Sequence, residues 1–91
     1  MKIIIEHKNK TYKFENGYHA YIFDNAIENN FDVIHGEENL LNFVYRVGEC
    51  YLKDHNHTPL GHLTDFMAQN WNDIKELGRY EILDKFYNQL P

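Results

Sequence analysis

Residues 15–30 read ENGYHAYIFDNAIENN, and whether this stretch is helical or extended decides the fold. Tyr18, Tyr21, Ile22 and Ala26 recur at three- and four-residue intervals, the period of one helix face. Asn16-Gly17 is a helix-start or turn signal, and Asn29 and Asn30 are poor helix formers. The spacing predicts a helix over 18–28. The rival is a third strand through Tyr18–Phe23, since that segment is aromatic and contains a β-branched residue.

Upstream, residues 2–15 (KIIIEHKNKTYKFE) show period two. Ile3 and Ile5 fall on one face of an extended segment, and Tyr12 and Phe14 alternate in a second, with a polar turn between them. A lone hairpin is marginal in water, so this apolar face must pack on helices.

Downstream, FDVIHG (31–36) reads as a short strand, with Phe31 and Val33 on one side, or as a connection. EENLLNFVYRVGECYLKD (37–54) predicts a helix with Leu40, Val44, Val47 and Tyr51 in one line. Leu41, Tyr45 and Leu52 form a flanking line, and so broad an apolar arc calls for more than one covering neighbour. Gly48 costs this helix about 1 kcal/mol relative to alanine, which points to close approach by a bulky group. Thr58-Pro59 predicts an N-cap followed by proline at the first helical position. Leu60, Leu63, Met67, Trp71, Ile74 and Leu77 then continue a helical line to a break at Gly78-Arg79, and a last helix follows. The expected fold is α+β: a small antiparallel β-hairpin or three-stranded sheet packed against three to four helices, with residues 1–91 as one domain.

The 91 residues are 43% apolar and 15% aromatic, which suits a packed core and not a disordered chain. Net charge is -5, unevenly spread. Residues 1–13 carry four lysines against one glutamate, and residues 14–91 carry five basic and 13 acidic groups. The bulk of the chain should therefore repel phosphate backbones, and Lys8, Lys10 and Lys13 around Tyr12 are too few for a nucleic-acid site. Cys50 is the one cysteine, which excludes an intrachain disulfide. The three-residue apolar run at the start is too short for a signal peptide, and no stretch is long enough for a membrane helix. A cytoplasmic location is expected. The 11 asparagines, with abundant Ile, Lys and Tyr, fit an AT-rich coding sequence of the kind carried by a phage or mobile element.

The densest chemistry is DHNHTPLGH (54–62). His55, His57 and His62, with Asp54 or Cys50, hold the donor types of a tetrahedral zinc site. Their spacing, however, lacks the i,i+4 pair of a helical metalloprotease motif, and no CxxC is present. The competing reading is a solvated connection between helices. Cys50 lies on an apolar helix line and reads as a packing residue. With no serine in the chain, Ser-His-Asp hydrolysis is excluded. Glu37-Glu38 and Asp73 with Glu76 read as hydrated faces, and no glycine-rich phosphate loop exists.

What remains is shape and negative charge. Tyr18, Tyr21, Tyr45 and Tyr80, beside acids such as Asp73 and Glu76, are expected to form an acidic-rimmed aromatic patch for a protein partner. The expected function is a small acidic protein-binding module, an inhibitor or adaptor of a basic, possibly nucleic-acid-binding, partner, or else a self-associating chain. No cofactor, membrane, direct nucleic-acid contact or enzymatic chemistry is expected. The alternative is a histidine-rich metal-binding protein or small metal-dependent hydrolase built on His55, His57 and His62.

Overall fold

The computed structural model describes residues 2–90. Two strands, β1 (Ile3–His7) and β2 (Lys10–Phe14), are followed by helices α1 (Gly17–Glu28) and α2 (Phe31–His35). A 3-10 turn (Glu37–Asn39) leads into α3 (Leu40–Leu52), and α4 (Leu60–Gln69), α5 (Trp71–Ile74) and α6 (Arg79–Asn88) complete the order. The fold is α+β, with a two-stranded antiparallel sheet and four helices of ten residues or more. Among the described residues no helix is long and apolar enough to cross a membrane.

The hairpin register pairs Ile3 with Phe14 and Ile5 with Tyr12, so the four apolar residues share the inward face while Ile4 faces out. Lys8 and Asn9 form its two-residue turn, both at positive φ (51° and 66°), the left-handed geometry that matches strand twist. A non-glycine residue is unfavourable there. Lys8 is held by an ion pair, its Nζ lying 2.8 Å from Asp32 Oδ2 on α2. His7 Nε2 meets the same oxygen at 2.9 Å, and Lys10 pairs with Glu37 at 2.7 Å. The Lys8 bond, aided by His7, overcomes burial and holds the Asp32 carboxyl down at about 2. Below the hairpin, Phe23 of α1 packs against Tyr12 and Phe14, with ring centroids 4.6 and 5.3 Å apart.

Residues 15–30 are helical. Asn16 caps α1, its Oδ1 accepting from the His19 N–H at 3.0 Å, and Ala20, Ile22, Phe23 and Ala26 are buried. The third-strand reading of Tyr18–Phe23 is thereby replaced. So is the strand reading of FDVIH. Asn30 turns left-handed (φ 58°), its carbonyl accepts from Val33 and Ile34, and Gly36 at φ 94° ends α2. Helical geometry buries Phe31 and leaves Val33 and Ile34 exposed, so Phe31 and Val33 do not face the same way.

Two boundaries also depart from the sequence expectation. The line from Leu60 to Leu77 is broken at Asn70, whose side-chain amide donates to the Phe66 carbonyl at 2.8 Å and leaves the α conformation. Leu63, Met67, Trp71 and Ile74 are buried all the same, because the short α5 keeps them on one side. At the start of α4 the cap is Pro59, whose carbonyl accepts from His62 and Leu63, and not Thr58. Thr58 is engaged elsewhere, as described below.

The core centres on α3, which packs against α1, α4 and α6. Phe31, Phe43 and Trp71 form its aromatic middle, with centroid separations of 4.2, 5.5 and 5.6 Å. Cys50 is fully buried, and burial pushes its thiol up to about 12. Such a thiol packs as a small hydrophobe and is a poor nucleophile.

Candidate functional site

The histidine-rich segment is organised by its aspartate. Asp54 is buried and accepts from the backbone N–H groups of Asn56 (2.9 Å) and Thr58 (2.7 Å), folding 54–58 into a tight Asx-type turn. Tyr87 of α6 donates its hydroxyl to the same carboxylate and lies 2.7 Å from the Thr58 hydroxyl. Burial pushes the Asp54 pKa up, but the bonds from Tyr87, Asn56 and Thr58 together outweigh it, and the net shift is downward. The Thr58 groups that would have capped α4 are thus spent on closing the turn.

The three imidazoles stand outside this arrangement. His55 and His57 are exposed, His57 in the left-handed region at φ 54°. His62 faces a cleft with Asp65 and Phe66 on α4. Among the described residues no three His, Cys, Asp or Glu side chains converge as metal ligands. The structure does not bring His55, His57 and His62 together as one ligand set.

The six residues expected to bind a partner lie on several elements. Tyr18 and Tyr45 flank His19, with centroid distances of 4.6 and 5.0 Å, where α1 crosses α3. Tyr18 is half-buried against Tyr51. Burial lowers the His19 pKa, so its ring is neutral near pH 7. Tyr21, 47% exposed, reaches from α1 toward α4, where a Cβ added at Gly61 would lie 3.1 Å from its hydroxyl. Tyr80 is exposed beside the Asp54 turn and carries Arg79 over its ring at 5.2 Å. Asp73 lines a cleft of about 390 Å³ between α4 and α6 with Phe66, Asn70 and Lys85, and Glu76 is exposed on the turn before α6. Two further acids are engaged in ion pairs: Asp32 with Lys8 of the hairpin, and Glu49 with Arg79 at 3.0 Å.

Electrostatics single out one region. No lysine or arginine occurs in residues 14–45 or 54–74, which include α1, α2 and α4 entirely. α1 packs on α4, and Asn29 at its end donates to Asp65 Oδ1 at 2.9 Å. Tyr21, Asp24 and Glu28 recur at three and four on the exposed side of α1. The resulting face has Tyr21 beside Asp24, Glu28 and Asp65, with no cation contributed by either helix. Asp24 and Asp65 were not among the residues expected from the sequence. The signal for them is the gap in basic residues, visible only by asking where lysine is missing.

A second feature is apolar. Of the broad arc on α3, the line Leu41, Tyr45 and Leu52 is uncovered, at 41, 51 and 68% exposure. The neighbours of α3 cover its inner lines only.

Comparison with protein-family models, curated proteins and solved structures finds no match.

Proposed function

We propose that this protein is a protein-binding module whose α1–α4 face receives a basic partner, acting as an inhibitor or adaptor. The observation that carries this reading is the absence of any lysine or arginine on two packed helices that expose Asp24 and Glu28, with the half-buried Asp65, around Tyr21. A carboxylate field unrelieved by cations steers a basic surface, and a half-exposed tyrosine supplies rigid apolar contact with a polar tip. Nothing in the arrangement calls for a nucleophile or a general base.

The test compares wild type with a Tyr21→Ala/Asp24→Asn/Glu28→Gln variant, each immobilised in extract at physiological salt. A discrete basic protein held by wild type, released by salt and lost in the variant is the expected result. Equal retention by both, or retention of acidic proteins only, refutes the proposal.

A further inference from the structure

We infer that two copies of this chain pair edge to edge through β1, antiparallel about a two-fold axis at Ile4, joining two two-stranded hairpins into one sheet. This rests on the hairpin and is independent of the α1–α4 reading. β1 pairs only with β2, and among the described residues no backbone hydrogen bond joins it to another element. In a two-residue hairpin the pair flanking the turn, here His7 and Lys10, exchanges both backbone bonds, and every second pair repeats the pattern. Ile3, Ile5 and His7 thus spend their N–H and C=O groups on β2. Those of Ile4 and Glu6 point the other way, along a free edge that is a template for another strand. Burial thins toward this edge. Phe14 is sealed at 2% exposure, whereas Ile3 directly opposite it is only half-buried and Ile4, on the outer face, is 60% exposed.

Charge and register favour a second copy as the occupant. Residues 2–6 read KIIIE, which is its own complement when reversed. Antiparallel pairing about Ile4 sets Lys2 against Glu6 of the second copy, Ile3 against Ile5, and Ile4 against itself. Lys2, Ile4 and Glu6 are exposed, so on the outer face an Ile4–Ile4 contact is flanked on both sides by an ion pair. On the inner face the half-buried Ile3 and Ile5 of the two copies meet and extend the apolar layer. Ile4 exchanges both backbone bonds with its counterpart, as its outward groups allow, and Glu6 does the same with Lys2. Parallel pairing would set lysine against lysine, and a slip of two residues toward the turn would set Lys2 against Lys8. The β2 edge offers no such match. It carries Lys10 and Lys13 with no acid, and Glu37 and Leu41 lie alongside Lys10 and Tyr12. The pairing therefore closes at two copies, with lysine-guarded strands outermost. An overlap of five residues spans roughly 17 Å at about 3.4 Å per residue, a small contact, so the dimer is weak.

The experiment is sedimentation equilibrium from about 10 μM to about 1 mM, the range in which a weak interface populates, with amide exchange read by NMR at both ends. Wild type should rise from its 11.0 kDa monomer mass toward twice that value and no further. The Ile4 and Glu6 amides should pass from open to protected over the same range. Ile4→Pro removes a donor that the hairpin does not use, so it should keep the fold and stay monomeric. Lys2→Glu and Glu6→Lys should each weaken association by about tenfold or more, since like charges then oppose one another in both outer layers. An equal mixture of these two variants should associate as wild type does, because each carboxylate again faces an ammonium. Should Ile4→Pro unfold, the charge variants carry the test. A wild type monomeric throughout, a mass that climbs past two copies, Ile4 and Glu6 amides that stay open in the dimer, a folded Ile4→Pro that still dimerises, or a mixture no stronger than its components would each overturn the inference.

Discussion

Gly48 is the position where the packing of α1 on α3 can be measured most directly. A Cβ built there falls 2.9 Å from His19 Nε2, 3.1 Å from its Cδ2 and 3.4 Å from Tyr18 Cε2. Unstrained carbon contacts lie near 3.5–4.0 Å, so the imidazole must retreat by roughly 0.5 Å or more from its place between Tyr18 and Tyr45. Gly48→Ala gains about 1 kcal/mol of helix propensity and loses a comparable amount to overpacking, for a net change near zero. Gly48→Leu adds three more carbons to the same notch and costs about 1–3 kcal/mol. The decisive comparison is Gly48→Ala in a His19→Ala background. With the ring gone, the propensity gain appears in full as about 1 kcal/mol, a rise of roughly 4–8 °C in melting temperature for a chain of this size. A double-mutant cycle followed by circular dichroism in dilute solution should give a coupling of about 1 kcal/mol or more. If Gly48→Ala has the same effect in both backgrounds, the close approach of His19 is not what selects glycine.

Three further outcomes follow from the polar contacts. Asp32 has its pKa lowered from 3.8 to about 2, so its stabilisation is present above pH 3.8 and is lost as pH falls toward 2. Allowing for screening at the exposed Lys8, Asp32→Asn should cost about 1–2 kcal/mol at pH 7 and almost nothing at pH 2, as read from urea melts across that range. Asp54→Ala strands the Asn56 and Thr58 N–H groups and the Tyr87 hydroxyl and should cost about 2–3 kcal/mol, whereas His55→Ala and His57→Gly should each move stability by less than about 1 kcal/mol. An equal loss at the histidines would show that they, and not the carboxylate, order the turn. Finally, Cys50 should resist a thiol reagent in the native protein at pH 8 and react only on unfolding, since its pKa is pushed up to about 12.

Periodicity carried much of the architecture. Alternation in residues 2–15 placed Ile3, Ile5, Tyr12 and Phe14 on one side, and spacing at three and four placed Leu40, Val44 and Val47 inside α3, because both patterns follow directly from backbone geometry. Short elements were not legible in this way. Five residues such as FDVIH hold too few positions to separate a period of two from 3.6, and their helicity depends on Asn30 and Gly36 at the ends. Thr58 was misplaced as a cap because its hydrogen-bond partners, Asp54 and Tyr87, come from a turn that closes only when α6 packs. For the candidate surface, exposure was the missing quantity. Tyr18 and Tyr45 are alike in sequence, yet Tyr18 is half-buried against His19 and Tyr51 while Tyr45 is 51% exposed and meets only the edge of His19, a difference set by which neighbours the packing of α1 on α3 brings to each ring.

The hairpin's dependence on its anchors reaches beyond the structure at rest. Two short strands without a third cannot hold together by themselves. Those of β1 and β2 are secured by Asp32 and Glu37 at one end and by the Phe23 ring beneath. Acid or concentrated salt weakens the first of these and leaves the second, so this segment should open before the helical body melts. Amide protons from Ile3 to Phe14 would then exchange with solvent at a lower free energy than those of α3, and proteases would find their first cut there. The chain would thus unravel in two stages, from its N-terminal end inward.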